Sequence, residues 1–174
     1  MLSLLKESNL LQKFPVTLCA VTLFVVSSSA LSADFTIVDG QFVTSQQTLL
    51  DPGDTGTINS GGDLTTIITA ITTGASNHTV LNNGAITTSD PAAYGIDSRG
   101  NSGTSTITSS GTITTSGQYG YGIHSYGNSG TTNITNSGTI TTSEQDSMGI
   151  YSVANVGTTN ITNSGTITTS GSSG

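Results

Sequence analysis

Aliphatic residues recur through the second half of the chain at one fixed interval. Val80, Ile107, Ile134 and Ile161 share a 27-residue spacing, as do Ile86, Ile113, Ile140 and Ile167, and as do Ile96, Ile123 and Ile150. Glycine keeps the same interval at Gly84, Gly111, Gly138 and Gly165, and again at Gly95, Gly122 and Gly149, with no insertion across these columns. Each anchor sits in a short β-prone run: Thr106-Ile107-Thr108, Thr112-Ile113-Thr114-Thr115 and Tyr121-Gly122-Ile123-His124-Ser125. Between the runs lie Ser109-Ser110-Gly111, Ser116-Gly117-Gln118 and Gly127-Asn128-Ser129-Gly130, which are turn-forming by composition. The unit therefore predicts three strands and three turns, with alternation placing isoleucine on one face and its flanking threonines on the other.

One such unit cannot bury three isoleucines alone. Stacked copies bring equivalent residues to a strand spacing of about 4.8 Å, and each buried isoleucine then contributes about 1.5–3 kcal/mol. The fold class expected is all-β: a parallel β-helix or β-solenoid with one three-stranded coil per 27-residue repeat. The core ladder is Ile107, Ile113, Ile123, Ile134, Ile140, Ile150, Ile161 and Ile167. A leucine-rich repeat needs a leucine framework these units lack, and a propeller blade needs about 40 or more residues. Residues 77–174 are the tandem repeats. Their last copy stops at Gly174 before its third anchor, which reads as truncation at the C-terminus. Residues 34–76 do not hold the interval and read as an N-terminal cap with irregular first coils, in which Gly56-Thr57-Ile58 resembles a diverged copy of Gly84-Ala85-Ile86.

A different pattern occupies positions 1–33. Lys6 and Lys13 precede an apolar run from Val16 to Val26, followed by small residues from Ser27 to Ala30 and then Ser32-Ala33. That run has the length of a signal-peptide core and is short for a bilayer span, so residues 1–33 read as a signal peptide cleaved after Ala33 and the product as exported. Cleavage removes Lys6, Lys13, Glu7 and Cys19. Of three basic and ten acidic residues, Arg99 and nine carboxylates remain, a net charge of about −8 with no cysteine and so no disulfide. With 7% charged residues and almost no cations, nucleic acid is excluded as a partner, as is a solvated coiled coil.

Taken together, the leader, Gln47-Thr48-Leu49 running to Gly53-Asp54-Thr55-Gly56 and Gly61-Gly62-Asp63-Leu64, and repeats such as Asn133-Ile134-Thr135-Asn136-Ser137-Gly138-Thr139-Ile140-Thr141 resemble the passenger region of a bacterial autotransporter, the type V secretion family. The resemblance covers nearly all of the chain after the leader. It implies a β-helix displayed on the cell surface or released, carried through the outer membrane by a C-terminal β-barrel translocator. Segments of about ten alternating residues with aromatic girdles, which a barrel requires, do not occur in this sequence. The function implied is a structural, adhesin-like passenger fragment with no catalytic site, no cofactor and no metal. Its partners would be the translocator barrel, a ligand on a host or neighbouring cell, and further copies of itself through strand edges.

Several residues invite chemistry. Asp97, His124 and Tyr151 share one column beside Ser98, Ser125 and Ser152, which suggests a Ser/His/Asp triad. A serine next in sequence to the histidine points to the opposite face, however, and a column this variable reads as an exposed surface. A polysaccharide-active solenoid enzyme would need clustered acids with a basic group in one groove, and Arg99 is the one cation left after processing. Asp51, Asp54 and Asp63 read as turn residues ahead of calcium ligands. The glycosylation-like triplets at Asn77, Asn133 and Asn160 follow from composition. The Tyr94, Tyr121 and Met148 column reads as a packed ladder beside the isoleucines, while Tyr119, Tyr126 and Tyr151 face solvent, where a stacking site for carbohydrate is conceivable. Thr112-Ile113-Thr114, Thr139-Ile140-Thr141 and Thr166-Ile167-Thr168 project two threonine rows, about 4.8 Å apart between coils and about 6.6 Å along the strand, a spacing near that of an ice lattice.

Overall fold

The computed structural model describes residues 34–172, so the signal peptide expected at 1–33 and its expected cleavage after Ala33 lie outside the described residues. The chain winds as a β-solenoid of parallel strands, three to a coil. The first coil holds β1 (Phe35–Ile37), β2 (Phe42–Val43) and β3 (Gln47–Leu49), and the second β4 (Thr55–Ile58), β5 (Asp63–Thr66) and β6 (Ile71–Thr73). The third holds β7 (His78–Asn82), β8 (Ala85–Thr88) and β9 (Ile96–Arg99), and the fourth β10 (Thr104–Ser109), β11 (Thr112–Thr115) and β12 (Ile123–Tyr126). The fifth holds β13 (Thr131–Asn136), β14 (Thr139–Thr142) and β15 (Ile150–Val153), after which β16 (Thr158–Asn163) and β17 (Thr166–Thr169) open a sixth. Equivalent strands pair into three sheets. Sheet A runs from β1 to β16, sheet B from β2 to β17, and sheet C from β3 to β15.

From the third coil onward the 27-residue register holds, with Val80 against Ile107 and Ile107 against Ile134 on sheet A. The first two coils join the same three sheets but keep no fixed interval. Phe35 pairs with Gly56, Gln47 with Ile71, Asp63 with Ala85 and Ile71 with Ile96, unequal steps that are all smaller than in the later coils. Most of the difference lies in the corner between sheets B and C, which takes four residues at 67–70 but seven at 89–95, 116–122 and 143–149. The shorter coil also shifts the expected match of Gly56 with Gly84. Gly56 instead pairs with Val80 in the aliphatic column, and the ring of Phe35 fills the space its missing side chain leaves.

Inside the three sheets the aliphatic columns meet. Ile37, Leu49, Ile58, Leu64, Ile71, Val80, Ile86, Ile96, Ile107, Ile113, Ile123, Ile134 and Ile140 are buried in one cluster. Three members of the expected ladder differ. Ile150 is half-buried, and Ile161 and Ile167 are 48% and 38% exposed, because they lie on the last described strands of their sheets, with no described rung above them.

The remaining interior positions are polar and largely satisfied along the stack. Asn101, Asn128 and Asn155 form an amide ladder at the corner between sheets C and A. The Asn101 N–H donates to Asn128 Oδ1 at 2.7 Å and the Asn128 N–H to Asn155 Oδ1 at 2.8 Å. Each upper side chain also donates down to the rung below, Asn128 to the Ser98 carbonyl and Asn155 to that of Ser125. This ladder escapes a search for aliphatic periodicity, although its 27-residue spacing is present in the sequence.

Among the described residues a few interior atoms lack a partner, including the hydroxyls of Thr73, Thr132, Thr142 and Thr159 and both ring nitrogens of His78. His78 lies at the bottom of a column continued by Ser105 and Thr132, and neither of its ring nitrogens has a hydrogen-bond partner. Burial pushes its pKa below the ordinary 6.5, against the attraction of Asp54 in the coil beneath. A histidine held neutral in the fold contributes stability that is complete above 6.5 and declines as pH falls from there through its lower folded value. The thermal midpoint is therefore expected to drop between pH 7.5 and 5.5, and to drop less in His78→Phe. An equal drop in the variant would assign the effect elsewhere.

Candidate functional site: the tyrosine face of sheet C

Strand β12 shows how the face is built. Alternation turns Ile123 and Ser125 inward, where both are fully buried, and turns His124 and Tyr126 outward. Asp97 and Arg99 hold the same two positions on the rung below, and Tyr151 and Val153 on the rung above. Below Asp97 the column continues as Thr72 and Thr48.

The seven-residue corner then adds Tyr94 and Tyr121. Strict alternation from Ile123 would point Tyr121 inward, which is why the sequence places that column beside the isoleucines. The structure corrects this. A side chain at Gly122 would run into Ile140 of the next coil, so positions 122 and 123 both face the core and Tyr121 emerges outside. Tyr94 and Tyr121 stack there with centroids 5.2 Å apart and 7° between planes, leaning over the sheet. Tyr94 comes within 4.6 Å of His124, and Tyr121 within 4.7 Å of Tyr151. His124 lies parallel to Tyr151 at 5.7 Å and has Tyr126 at 5.9 Å on its other flank. The column expected to be open is in fact roofed over: Asp97 and His124 are only 3% and 5% exposed.

Asp97 is fully engaged. One carboxylate oxygen accepts from His124 Nδ1 at 2.9 Å, the other from Arg99 Nε at 2.5 Å. That bond, more than any other influence, raises the Arg99 guanidinium above its usual pKa. The same cation sits 5.5 Å above the Tyr94 ring. Burial first, then Tyr94 and Tyr151, raises the Tyr121 hydroxyl above 10.0.

The other sequence candidates fall elsewhere. Ser98 and Ser125 point into the core, where Ser98 bonds Ser105 and Ser125 accepts from Asn128. The structure thus brings Asp97 and His124 together but sets the serines on the far side of the sheet, and no hydroxyl nucleophile of a triad faces the histidine from that strand. Asp54 accepts the N–H groups of Leu50 and Asp51, and Asp63 accepts the Thr65 hydroxyl, as turn and strand residues do. Asn77 accepts from Thr104, and Asn133 from Asn160, along the stack. Among the described residues no three His, Cys, Asp or Glu side chains gather to hold a metal ion.

On sheet B the register aligns Thr65, Thr87, Thr114, Thr141 and Thr168 in one row. The parallel row of Thr112, Thr139 and Thr166 is interrupted below by Ala85 and Asp63. Among the described residues the doubly threonine-lined surface spans three rungs and gives way to Ala85 and then Asp63, which is too short to hold an ice plane. Millimolar protein is expected to show no thermal hysteresis, and a measurable gap between freezing and melting would overturn that.

Comparison with protein-family models, with curated proteins and with solved structures finds no match to this chain.

Proposed function

We propose that the chain is an exported, non-enzymatic β-solenoid of the autotransporter-passenger kind, whose role is to carry an adhesive face outside the cell. One observation carries the reading. In a chain with only 5% aromatic residues, four of the five tyrosines converge with His124 and Arg99 on the outside of sheet C. The aliphatic columns and amide ladder fill the interior without these rings, and a concentration of aromatics on the outer face favours contact with something else.

A polysaccharide-cleaving enzyme is supported less well. Such chemistry uses two carboxyl groups flanking the bond, and Asp97 is closed off between Arg99 and His124. The leader supports export, and the cysteine-free remainder suits passage as an unfolded chain.

The test is expression of the whole chain in a bacterium with two membranes, followed by fractionation and N-terminal sequencing. A product outside the cytoplasm starting at Asp34, able when purified to attach coated beads to cells, is the expected result. An uncut cytoplasmic product, or beads that attach to nothing, would overturn it.

A further inference from the structure

We propose that the tyrosine face of sheet C binds an uncharged glycan, with Tyr126 as its stacking platform and Arg99 as its hydrogen-bonding arm. The inference rests on the adhesive reading above and supplies the chemistry of the ligand.

Three observations select that chemistry. The first is aromatic area. Tyr126 is 48% exposed and backed by the His124 ring, and Tyr119, in the adjoining corner, is 46% exposed. Tyr119 shares its left-handed backbone, φ 57°, with Ala92 and Asp146 at the same corner of the adjoining coils, φ 56° and 57°, so the turn and not the ring sets that conformation. An aromatic ring offered to water gains by covering the apolar C–H face of a pyranose, and its hydroxyl remains free to bond the sugar's own.

The second is charge. Residues 34–172 carry nine carboxylates against Arg99, a field that repels anionic ligands. A cation meets a different obstacle, because the guanidinium of Arg99 already lies over Tyr94. At the face itself Asp97 neutralises Arg99, and the Asp146 carboxylate lies near enough to Tyr121 to raise its hydroxyl pKa, so no unpaired positive charge is offered to an anion. That combination of aromatic faces with a few fixed polar groups suits a neutral, hydroxyl-rich ligand.

The third is geometry. The Arg99 side chain is half exposed while its Nε is fixed on Asp97, so the planar fork is held in one orientation with its outer end toward solvent. The platform stands on three consecutive hydrogen-bonded rungs, with Tyr94 and Tyr121 stacked on each other beside it. A rigid site of this kind loses little entropy on binding.

The chain has no tryptophan, so its intrinsic emission comes from tyrosine, and all five tyrosines lie on or beside this face. Purified full chain is titrated with cellohexaose, maltohexaose and the N-acetylglucosamine hexamer, and in parallel with heparin, polygalacturonate and the glucosamine hexamer. The expected result is a saturable change in tyrosine emission with at least one of the three neutral hexamers. It weakens at least tenfold in Tyr126→Ala and persists in Tyr126→Phe, with the thermal midpoint of both variants unchanged. Response to charged sugars alone, response to none, or binding that survives Tyr126→Ala overturns the proposal. Bead attachment to cells in the presence of an excess of whichever hexamer binds in solution separates the two readings. Attachment that persists leaves adhesion standing and removes the glycan. Solution binding without attachment does the reverse.

Discussion

Replacing Ile113 by Asp is expected to abolish the cooperative unfolding transition of the repeats. Ile113 is fully buried in the fourth coil, paired with Ile86 below and Ile140 above. The change removes an aliphatic side chain, about 2–5 kcal/mol for truncation alone, and leaves a carboxylate with no cation within the core. Together these exceed about 5 kcal/mol, a large part of what a domain of this size possesses. In a linear stack each coil is supported mainly by its neighbours, so the damage falls on the fourth coil and those above it. Far-UV circular dichroism should lose its sigmoidal thermal transition near neutral pH and recover part of it in acid, where the new carboxyl is uncharged. A native-like melt at pH 7 would mean that the aliphatic columns do not face inward.

The second large effect is expected at Gly111. A side chain there would strike the carbonyl oxygen of Gly84 and the backbone of Asn83, both fixed in the coil beneath, and Gly138 and Gly165 stand in the same relation to the coils under them. Gly111→Ala therefore forces two rungs apart where their hydrogen bonds need them close, at a cost of about 3 kcal/mol or more. Gly127 supplies the control. It has a positive φ of 66° but open space around it, and Ala154 occupies the equivalent place one coil later at φ 55°. Gly127→Ala should thus cost only the backbone strain, about 1–2 kcal/mol. Denaturant midpoints of the two variants decide the matter: similar losses would show that close approach is not what selects glycine at position 111.

Much of the solenoid is legible in the sequence because its repeat is uninterrupted. A fixed 27-residue interval leaves one way to align Ile107, Ile113 and Ile123 with their counterparts. The first coils are harder to read because the corner at 67–70 is three residues shorter, which dissolves the interval without dissolving the fold. The face of sheet C is hardest. Its position depends on Gly122 and Ile123 both turning inward, a local break in alternation that no count of residues reveals. That break carries Tyr94 and Tyr121 over His124 and roofs a column that looks open when read along the chain. The serines obey alternation, and their inward direction follows from neighbouring His124.

Because the later coils repeat without slippage, the molecule has no preferred height. Removing residues 104–130 would join the third coil to the fifth in unbroken pairing, and copying them would add one more layer, each change altering reach by about 4.8 Å. Near-identical tandem segments are also what misaligned copying gains or loses most readily. Such a lineage would vary the length of the stack in whole steps, without redesigning a single contact.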